Sequence, residues 1–258
     1  MHPILFKIGN LNIYSYGVIL AFDLLVSLYL FIKFSKDFNI DSEVAFRIFV
    51  MNIVFLIIGG KIGYMFSHFE QYYNGNLKDF FIDLPINFFY SGLAIQGAIL
   101  FSALALIFVS KYYKINLWNL FDNFSLVALL SISIGRVGCL LAGCCYGKIC
   151  QLCEYGIYLY GAKRYPTQVM ESLLSLAAFL LIYWYFNKLK KLNQLEHYRG
   201  IFFAFFMIFY GLIRFFVEFY REGTPIVGYL NLAQIFSLLI FIIGSIIFIF
   251  VKFKFKSS

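Results

Sequence analysis

The sequence predicts an all-α protein: a polytopic membrane helix bundle of seven transmembrane helices, with the N-terminus outside and the C-terminus inside. Of the 258 residues, 62% are hydrophobic and only 13% are charged, whereas about a quarter of the residues of an ordinary domain are charged. The mean hydropathy is +0.82. The apolar residues recur in segments of about 20, the length that a helix needs to cross the ~30 Å hydrocarbon core.

Seven such segments follow one another, and we expect residues 1–258 to form a single transmembrane domain. The spans run over about 11–33, 44–66, 89–110, 118–142, 167–187, 200–220 and 229–251. The second, fourth and sixth spans each contain one basic residue: Lys61, Arg136 and Arg214. A charged side chain inside the membrane costs at least about 2.5–3.5 kcal/mol and usually marks a functional site.

The distribution of lysine and arginine between the loops predicts the orientation, because cytoplasmic loops carry an excess of both. With the C-terminus inside, twelve of these residues lie on the inner side: Lys33, Lys36, Arg47, Lys111, Lys114, Lys188, Lys190, Lys191, Arg199, Lys252, Lys254 and Lys256. Six lie on the outer side: Lys7, Lys78, Lys148, Lys163, Arg164 and Arg221. The loops 67–88 and 143–166 are then outside, and we expect the aromatic-rich first loop to form a lid or a short interfacial helix.

The net charge of +8 follows from this topology and from attraction to the anionic headgroups of membrane lipids. The basic residues are dispersed and flank the spans. The sequence therefore does not predict nucleic-acid binding.

Two arginines inside the membrane predict an anion site. Arg214 and Glu218 are four residues apart, so they share a helix face and can pair, with Tyr210 on the same stripe. That pair alone can be purely structural, but Arg136 needs another explanation. Two arginines that converge from different helices suit a phosphate, because guanidinium groups bind it bidentately and keep their charge. The sequence thus indicates a site for a lipid headgroup near the outer face.

Other residues near the arginines allow two interpretations each. The glycines around Arg136 permit either close approach of a ligand or plain helix packing. They are Gly135, Gly138, Gly143 and Gly147. Lys61 either supports the anion site or extends its ammonium toward the interface.

All five cysteines lie within 15 residues: Cys139, Cys144, Cys145, Cys150 and Cys153. Three alternatives remain open for them: reduced thiols that pack, a disulfide within the outer loop, or a metal site based on the C-x-x-C spacing of Cys150 and Cys153. The histidines lie elsewhere in the sequence, and no metal ligand is assigned.

Six ordered segments resemble the prolipoprotein diacylglyceryl transferase family along nearly the whole chain. They are "YSYGVIL", "GGKIGYMF", "SGLAIQGAIL", "GRVGCLLAGCCYG", "YPTQVMES" and "YGLIRFFVEFYRE". The fourth is similar to the family signature Gly-Arg-x-x-Asn-x-x-Asn-Gly-Glu-x-x-Gly in its spacing. The family also has an outward N-terminus, in agreement with the charge distribution.

The resemblance implies an enzyme of the bacterial inner membrane that needs no cofactor. It would transfer the diacylglyceryl group of phosphatidylglycerol to the lipobox cysteine in the signal peptide of a prolipoprotein, releasing glycerol phosphate. Arg136 and Arg214 would bind the leaving phosphate, and Glu218 would hold Arg214. The remaining implied substrate-binding residues are Tyr16, Lys61, Gln96, Gly147 and Tyr210.

Several positions depart from the family pattern. Gln96 replaces the motif histidine that would act as base toward the thiol, and a glutamine amide does not accept a proton at neutral pH. Cys139 and Cys144 replace the signature Asn and Glu. Lys61 replaces an arginine and loses its bidentate fork, and Tyr165 replaces a histidine before proline. The proton acceptor is then either Glu218, if arginine does not fully engage it, or a phosphate oxygen of the substrate.

These departures leave other functions open. The chain is alternatively a phospholipid-binding membrane protein: a lipid transporter, a non-catalytic descendant of the enzyme, or an enzyme of the same fold with another thiol or lipid acceptor.

Overall fold

The computed structural model of the chain describes residues 3–9, 11–72, 86–88, 90–151, 153–222 and 230–256. It begins with an antiparallel hairpin of β1 (Ile4–Ile8) and β2 (Leu11–Tyr14), followed by α1 (Ser15–Ser35) and a 3-10 turn (Lys36–Phe38). The helices that follow are α2 (Ser42–Ser67), α3 (Phe69–Tyr72), α4 (Ile95–Tyr112), α5 (Leu117–Ala142), α6 (Thr167–Lys191), α7 (Ile201–Glu218) and α8 (Leu232–Lys256). Between α5 and α6, β3 (Ile157–Leu159) and β4 (Ala162–Arg164) form a second hairpin.

Six helices of the described chain are long and apolar enough to cross a membrane. They are α1 with its 3-10 turn, α2, α5, α6, α7 and the Leu232–Phe253 part of α8. The protein is thus a multi-pass helical membrane protein. The predicted third span, 89–110, corresponds to α4, whose apolar stretch Gly97–Tyr112 is shorter than these six. A seventh span therefore stays a prediction. The orientation and the single domain are also predictions.

Two details differ from the expected elements. Residues 11–14, predicted as the start of the first span, form a strand because their backbone pairs with Ile4–Ile8. Of the outer loop 67–88, predicted as a lid or interfacial helix, α3 is a short helix, and residues 73–85 lie outside the described residues.

Chain contacts divide the protein into two compact units, Met1–Asn39 with Phe121–Ser258, and Ile40–Leu120. In the first unit, aromatic rings join α1, α6 and α7. The ring of Phe186 lies 5.3 Å from that of Phe34 and 5.6 Å from that of Phe202. Helices α7 and α8 approach closely at glycines, since a Cβ at Gly211 would lie 2.8 Å from the carbonyl oxygen of Ser237.

Buried carboxylates fix helix positions in the first unit. Asp122 in α5 accepts hydrogen bonds from the backbone N–H groups of Gly200 at 2.6 Å and Phe203 at 2.9 Å, at the N-terminus of α7. These donors have no partner within the helix, so the carboxylate caps it. Asp23 in α1 accepts from the hydroxyl of Ser131 in α5 at 2.7 Å. These polar contacts complement the apolar packing that holds the bundle.

The second unit is built on close packing of α2 against α4. A Cβ at Gly97 would lie 2.2 Å from the carbonyl oxygen of Gly59, and one at Gly63 would lie 2.8 Å from the Cα of Gly97. Glycine is required here because the two backbones touch. Ser102 also donates to Asn52 at 2.9 Å across the same pair of helices.

Candidate active site

Glu171 joins two arginines from neighbouring helices. Its side chain, in the second turn of α6, is only 1% exposed. Arg136 of α5 donates from Nη2 to Oε1 at 2.8 Å, and Arg214 of α7 donates from Nη1 to Oε2 at 3.4 Å. Such charge-assisted hydrogen bonds hold both guanidinium groups in fixed positions. The two intramembrane arginines of the sequence therefore do converge, through a shared carboxylate.

A second carboxylate, Glu218 at the end of α7, extends this group of charges. Its Oε2 lies 2.9 Å from Nη2 of Arg214 and 3.7 Å from Nε of Arg221. Its Oε1 accepts from the amide of Asn231 at 3.3 Å. The predicted pairing of Arg214 with Glu218 is confirmed. The five charged residues Arg136, Glu171, Arg214, Glu218 and Arg221 are called the arginine–glutamate cluster below.

The composition of the arginine–glutamate cluster favours an anionic ligand. Three guanidinium groups and two carboxylates leave one positive charge in excess. The carboxylates are buried, whereas each arginine side chain is about one-fifth exposed: 20% for Arg136, 19% for Arg214 and 20% for Arg221. The buried carboxylates thus orient the arginines from the protein interior, and the guanidinium groups are the accessible part of the cluster. A phosphate that meets these arginines supplies the missing negative charge.

Two tyrosines predicted from the sequence lie near the arginine–glutamate cluster. Tyr210 is one turn before Arg214, and its phenol interacts electrostatically with both glutamates and with Arg136 and Arg214. Tyr16, in the first turn of α1, interacts with Arg136 and is 43% exposed. Their hydroxyl groups are suited to hydrogen bonding with a polar ligand held by the arginines.

Gly147 lies where three segments of backbone meet. Its N–H donates to the carbonyl of Tyr165 at 3.1 Å, and the next residue, Lys148, donates from its N–H to the carbonyl of Tyr220 at 2.8 Å. A Cβ at Gly147 would lie 2.6 Å from the Tyr220 carbonyl oxygen and 2.8 Å from that of Tyr165. The absence of a side chain at Gly147 thus allows the loop after α5 to pack against the backbone just before α6 and just after α7.

Polar side chains at the start of α6 fix the same loop. Thr167 donates from its hydroxyl to the carbonyl of Cys145 at 3.0 Å, and Gln168 donates from its amide to the carbonyl of Cys144 at 2.7 Å. Both side chains are buried. Arg221 also donates to the Cys145 carbonyl, at 3.4 Å. The loop and the arginine–glutamate cluster are therefore parts of one connected network.

Helix α5 ends in a Schellman motif that brings two cysteines together. The N–H of Cys144 bonds to the carbonyl of Cys139 at 3.1 Å, and the N–H of Gly143 bonds to the carbonyl of Leu140 at 3.2 Å. Gly143 has φ 74°, in the left-handed region that this motif requires. In a Schellman motif the side chains at these two outer positions commonly contact each other. Here the outer positions are Cys139 and Cys144.

Cys145 completes a group of three thiols. The Sγ atoms of Cys139, Cys144 and Cys145 all lie within 4.8 Å of one another, and the three residues are called the three-thiol cluster below. A hydrogen bond from Cys139 and the positive charges of Arg136 and Arg221 lower the pKa of the Cys145 thiol well below its usual range.

The other two cysteines form a disulfide, Cys150–Cys153. Of the alternatives left open by the sequence, the disulfide thus applies to the C-x-x-C pair. The three-thiol cluster remains free of disulfides.

Lys61 and Gln96 belong to the second unit. The ammonium of Lys61 in α2 donates to the backbone carbonyls of Phe88 at 2.9 Å and Ser91 at 3.1 Å. Lys61 thus tethers the segment that precedes α4. Gln96 lies in the first turn of α4, and its side chain lies outside the described part of the chain.

Sequence reasoning missed the residue at the centre of the site. Glu171 stands at the beginning of an apolar span in "YPTQVMES", three residues after Gln168, so both lie on one helix face. An acidic residue inside a span is as costly as a basic one. Attention to intramembrane carboxylates as well as arginines would have found Glu171. Asn231 has no comparable signal, because only the fold brings it to Glu218.

Comparison with known proteins identifies relatives along the full chain. The family model described as prolipoprotein diacylglyceryl transferase matches residues 3–250. Phosphatidylglycerol–prolipoprotein diacylglyceryl transferase 2 of Clostridium perfringens is 32% identical over 98% of this chain and 97% of its own length. Phosphatidylglycerol–prolipoprotein diacylglyceryl transferases of Clostridium tetani and Campylobacter hominis are each 30% identical, over 98% and 94% of this chain and 99% and 88% of their own lengths.

Proposed function

The chain belongs to the prolipoprotein diacylglyceryl transferase family, and we propose that it moves the diacylglyceryl group of phosphatidylglycerol to the cysteine thiol of a prolipoprotein. The names of its relatives favour this activity and do not favour the alternative of a transporter or a lipid-binding protein without chemistry.

The single observation that carries the proposal is the one excess positive charge of the arginine–glutamate cluster, with its arginines on the accessible side. In the reaction the thiol sulfur bonds to a glyceryl carbon while the bond from that carbon to a phosphate oxygen breaks. The departing glycerol phosphate then carries one more negative charge than the diester did. Fixed cations at that oxygen stabilise the transition state more than the ground state.

The proposed roles follow from position. Arg136 and Arg214 bind the phosphate and stabilise the leaving group. Glu171 and Glu218 hold these arginines in place, so that their guanidinium groups need no rearrangement during the reaction. Tyr210 and Tyr16 position the headgroup or the peptide. Gly147 permits the loop packing, and the substrate-binding roles of Lys61 and Gln96 stay predictions.

Glu218 is better placed to orient arginine than to accept a proton. Its carboxylate is ion-paired to Arg214, lies close to Arg221 and accepts from the amide of Asn231, so its oxygen atoms are already engaged. Of the two proton acceptors considered from the sequence, the phosphate oxygen of the substrate is therefore the better supported.

The proposed setting is the bacterial cytoplasmic membrane, crossed seven times, with the N-terminus and the arginine–glutamate cluster toward the outer face. The two-to-one excess of basic residues on the inner side supports this orientation. Phosphatidylglycerol enters from the surrounding lipid, and the prolipoprotein presents the signal peptide that carries its cysteine.

The test uses the purified full chain in detergent with phosphatidylglycerol and a synthetic lipobox peptide, with the peptide followed by mass spectrometry. Wild type is expected to add a diacylglyceryl group, and Arg136→Ala to lose this activity. Arg47→Ala is the matched control, because Arg47 lies in an exposed ion pair of α2 with 57% side-chain exposure. Phosphatidylglycerol binding without any adduct in wild type would refute the transferase and favour a lipid-binding role.

A further inference from the structure

The three-thiol cluster has the composition of a metal site. Its three Sγ atoms lie within 4.8 Å of one another, and none of them is in a disulfide. Cys144 is exposed, while Cys139 and Cys145 are partly buried. The cluster is therefore packed against the protein at Cys139 and Cys145 and accessible from outside at Cys144.

The backbone itself holds the three thiols close together. The Schellman motif sets Cys139 and Cys144 next to each other. Cys145 follows with φ 60°, a left-handed conformation that is unfavourable for a residue with a side chain. The hydrogen bonds of Thr167 and Arg221 to its carbonyl support that conformation. Backbone strain supported in this way is typical of functional positions.

Zinc fits these ligands in distance and in number. Zinc–sulfur bonds are about 2.3 Å long in tetrahedral sites, which places the sulfur atoms about 3.8 Å apart. The thiols need to close by about 1 Å or less from the observed limit of 4.8 Å. Zinc sites with three protein ligands keep the fourth position for a water or a substrate. Monovalent copper, in contrast, can have a complete coordination shell with three thiolates and then has no fourth position for a substrate.

The surrounding charge also suits a zinc ion with three thiolates. Such a group carries one net negative charge. Arg136 interacts electrostatically with Cys139 and Cys145, and Arg221 interacts with Cys145. These guanidinium groups balance the excess negative charge and connect the three-thiol cluster to the arginine–glutamate cluster.

We propose that Cys139, Cys144 and Cys145 bind one zinc ion, and that the fourth position of this ion binds the acceptor thiol of the peptide substrate. The second half of this inference rests on the proposed transferase function. It assigns a role to Cys139 and Cys144, the two positions at which the resemblance described above implies Asn and Glu. It also provides thiol activation in a chain that has Gln96 in place of the family histidine.

The step balances without an oxidant or a reductant. On binding zinc, the acceptor thiol releases its proton to solvent, because a coordinated thiol is deprotonated. With zinc bound, neither Glu218 nor the substrate phosphate is needed as the proton acceptor. The thiolate sulfur then forms a bond to the glyceryl carbon, and the bond from this carbon to the phosphate oxygen breaks. The electron pair of the broken bond leaves on glycerol phosphate, next to Arg136. The thioether product is uncharged, binds zinc more weakly than a thiolate does, and leaves the ion.

Metal binding is tested on the full chain purified in detergent with a reductant. Zinc content is measured by mass spectrometry of the metal, and cobalt(II) is added as a spectroscopic substitute whose thiolate-to-metal absorption reports sulfur ligands. We expect about one zinc per chain. Cys144→Ser and Cys139→Ser are each expected to weaken binding at least about 10-fold and to reduce the cobalt–thiolate band. The double variant Cys150→Ser/Cys153→Ser is the matched control, and should retain both.

Binding of the acceptor is tested in the same cobalt-loaded protein. Addition of the lipobox peptide should increase the cobalt–thiolate band, and a peptide with serine in place of its cysteine should leave the band unchanged. Three results overturn the inference: no zinc or cobalt bound by wild type, binding unaffected by either cysteine variant, or a band insensitive to the peptide thiol. Metal and peptide binding with no diacylglyceryl adduct would instead refute the proposed transferase while leaving the metal site intact.

Discussion

Glu171 Oε1 lies 2.8 Å from Nη2 of Arg136, and this carboxylate is 1% exposed. A carboxylate buried this completely is stable as an anion only when cations accompany it. Its second oxygen accepts from Arg214, so one side chain of α6 determines the separation of two arginines from α5 and α7. The phosphate site proposed for this enzyme therefore depends on Glu171, an acidic residue that positions the two arginines.

Replacing Glu171 with glutamine is expected to impair both stability and activity. The substitution keeps the shape but removes the negative charge, and it leaves two partly buried arginines without their shared partner. Removing one partner of a buried ion pair typically costs about 3–5 kcal/mol. Thermal unfolding in detergent and the rate of adduct formation measure the two effects. Glu43→Gln, in an exposed pair with Arg47, is the control, and equal behaviour of the two variants would contradict the central role of Glu171.

Replacing Arg214 with lysine tests whether charge alone is sufficient. Arg214 contacts both Glu171 and Glu218, and a lysine ammonium cannot reproduce this two-sided geometry. We expect the adduct rate to fall about 10- to 100-fold with the protein still folded. Arg47→Lys should keep the wild-type rate. A wild-type rate in Arg214→Lys would show that the fork of the guanidinium is not needed.

The Glu218→Gln variant distinguishes a proton acceptor from a residue that positions arginine. Because Glu218 is engaged by Arg214 and Arg221, we expect a decrease in rate of about 10-fold, with the pH profile unchanged in shape. The measurement is the adduct rate between mildly acidic and basic pH in both proteins. Complete loss of activity with folding kept, or loss of a titration step present in wild type, would instead identify Glu218 as the base.

Gly147→Ala is expected to displace the loop after α5. The new Cβ would meet two backbone carbonyl oxygens, at 2.6 Å and 2.8 Å, and backbone cannot move aside as a flexible side chain can. Misplacement of reacting groups by about 1 Å can cost about 100-fold in rate, so we expect a loss of that order. Gly17→Ala is the control, since a Cβ there would have no heavy atom within 4 Å. Comparable rates in the two variants would exclude a role for this packing.

Much of the fold could be predicted from the sequence, because a helix needs about 20 apolar residues to cross the membrane. Five of the predicted spans agree with helices to within a few residues, and the predicted pairing of Arg214 with Glu218 follows from helix periodicity alone. The first span was predicted four residues too early, because pairing of Leu11–Tyr14 with Ile4–Ile8 depends on a turn rather than on hydropathy. The described apolar stretch of the third segment, Gly97–Tyr112, is shorter than the six long apolar helices, so this span stays a prediction.

The sequence by itself determined the class of protein, its helices and the candidate arginines, because hydropathy and local spacing suffice for these. The tertiary structure decided which charges meet. Glu171 is 35 residues from Arg136 and 43 from Arg214, and no local pattern relates positions so far apart. The grouping of Cys139 with Cys144 was likewise decided by backbone geometry at the end of α5. Close contacts between distant residues arise only when helices pack, and the chemistry of this site depends on those contacts.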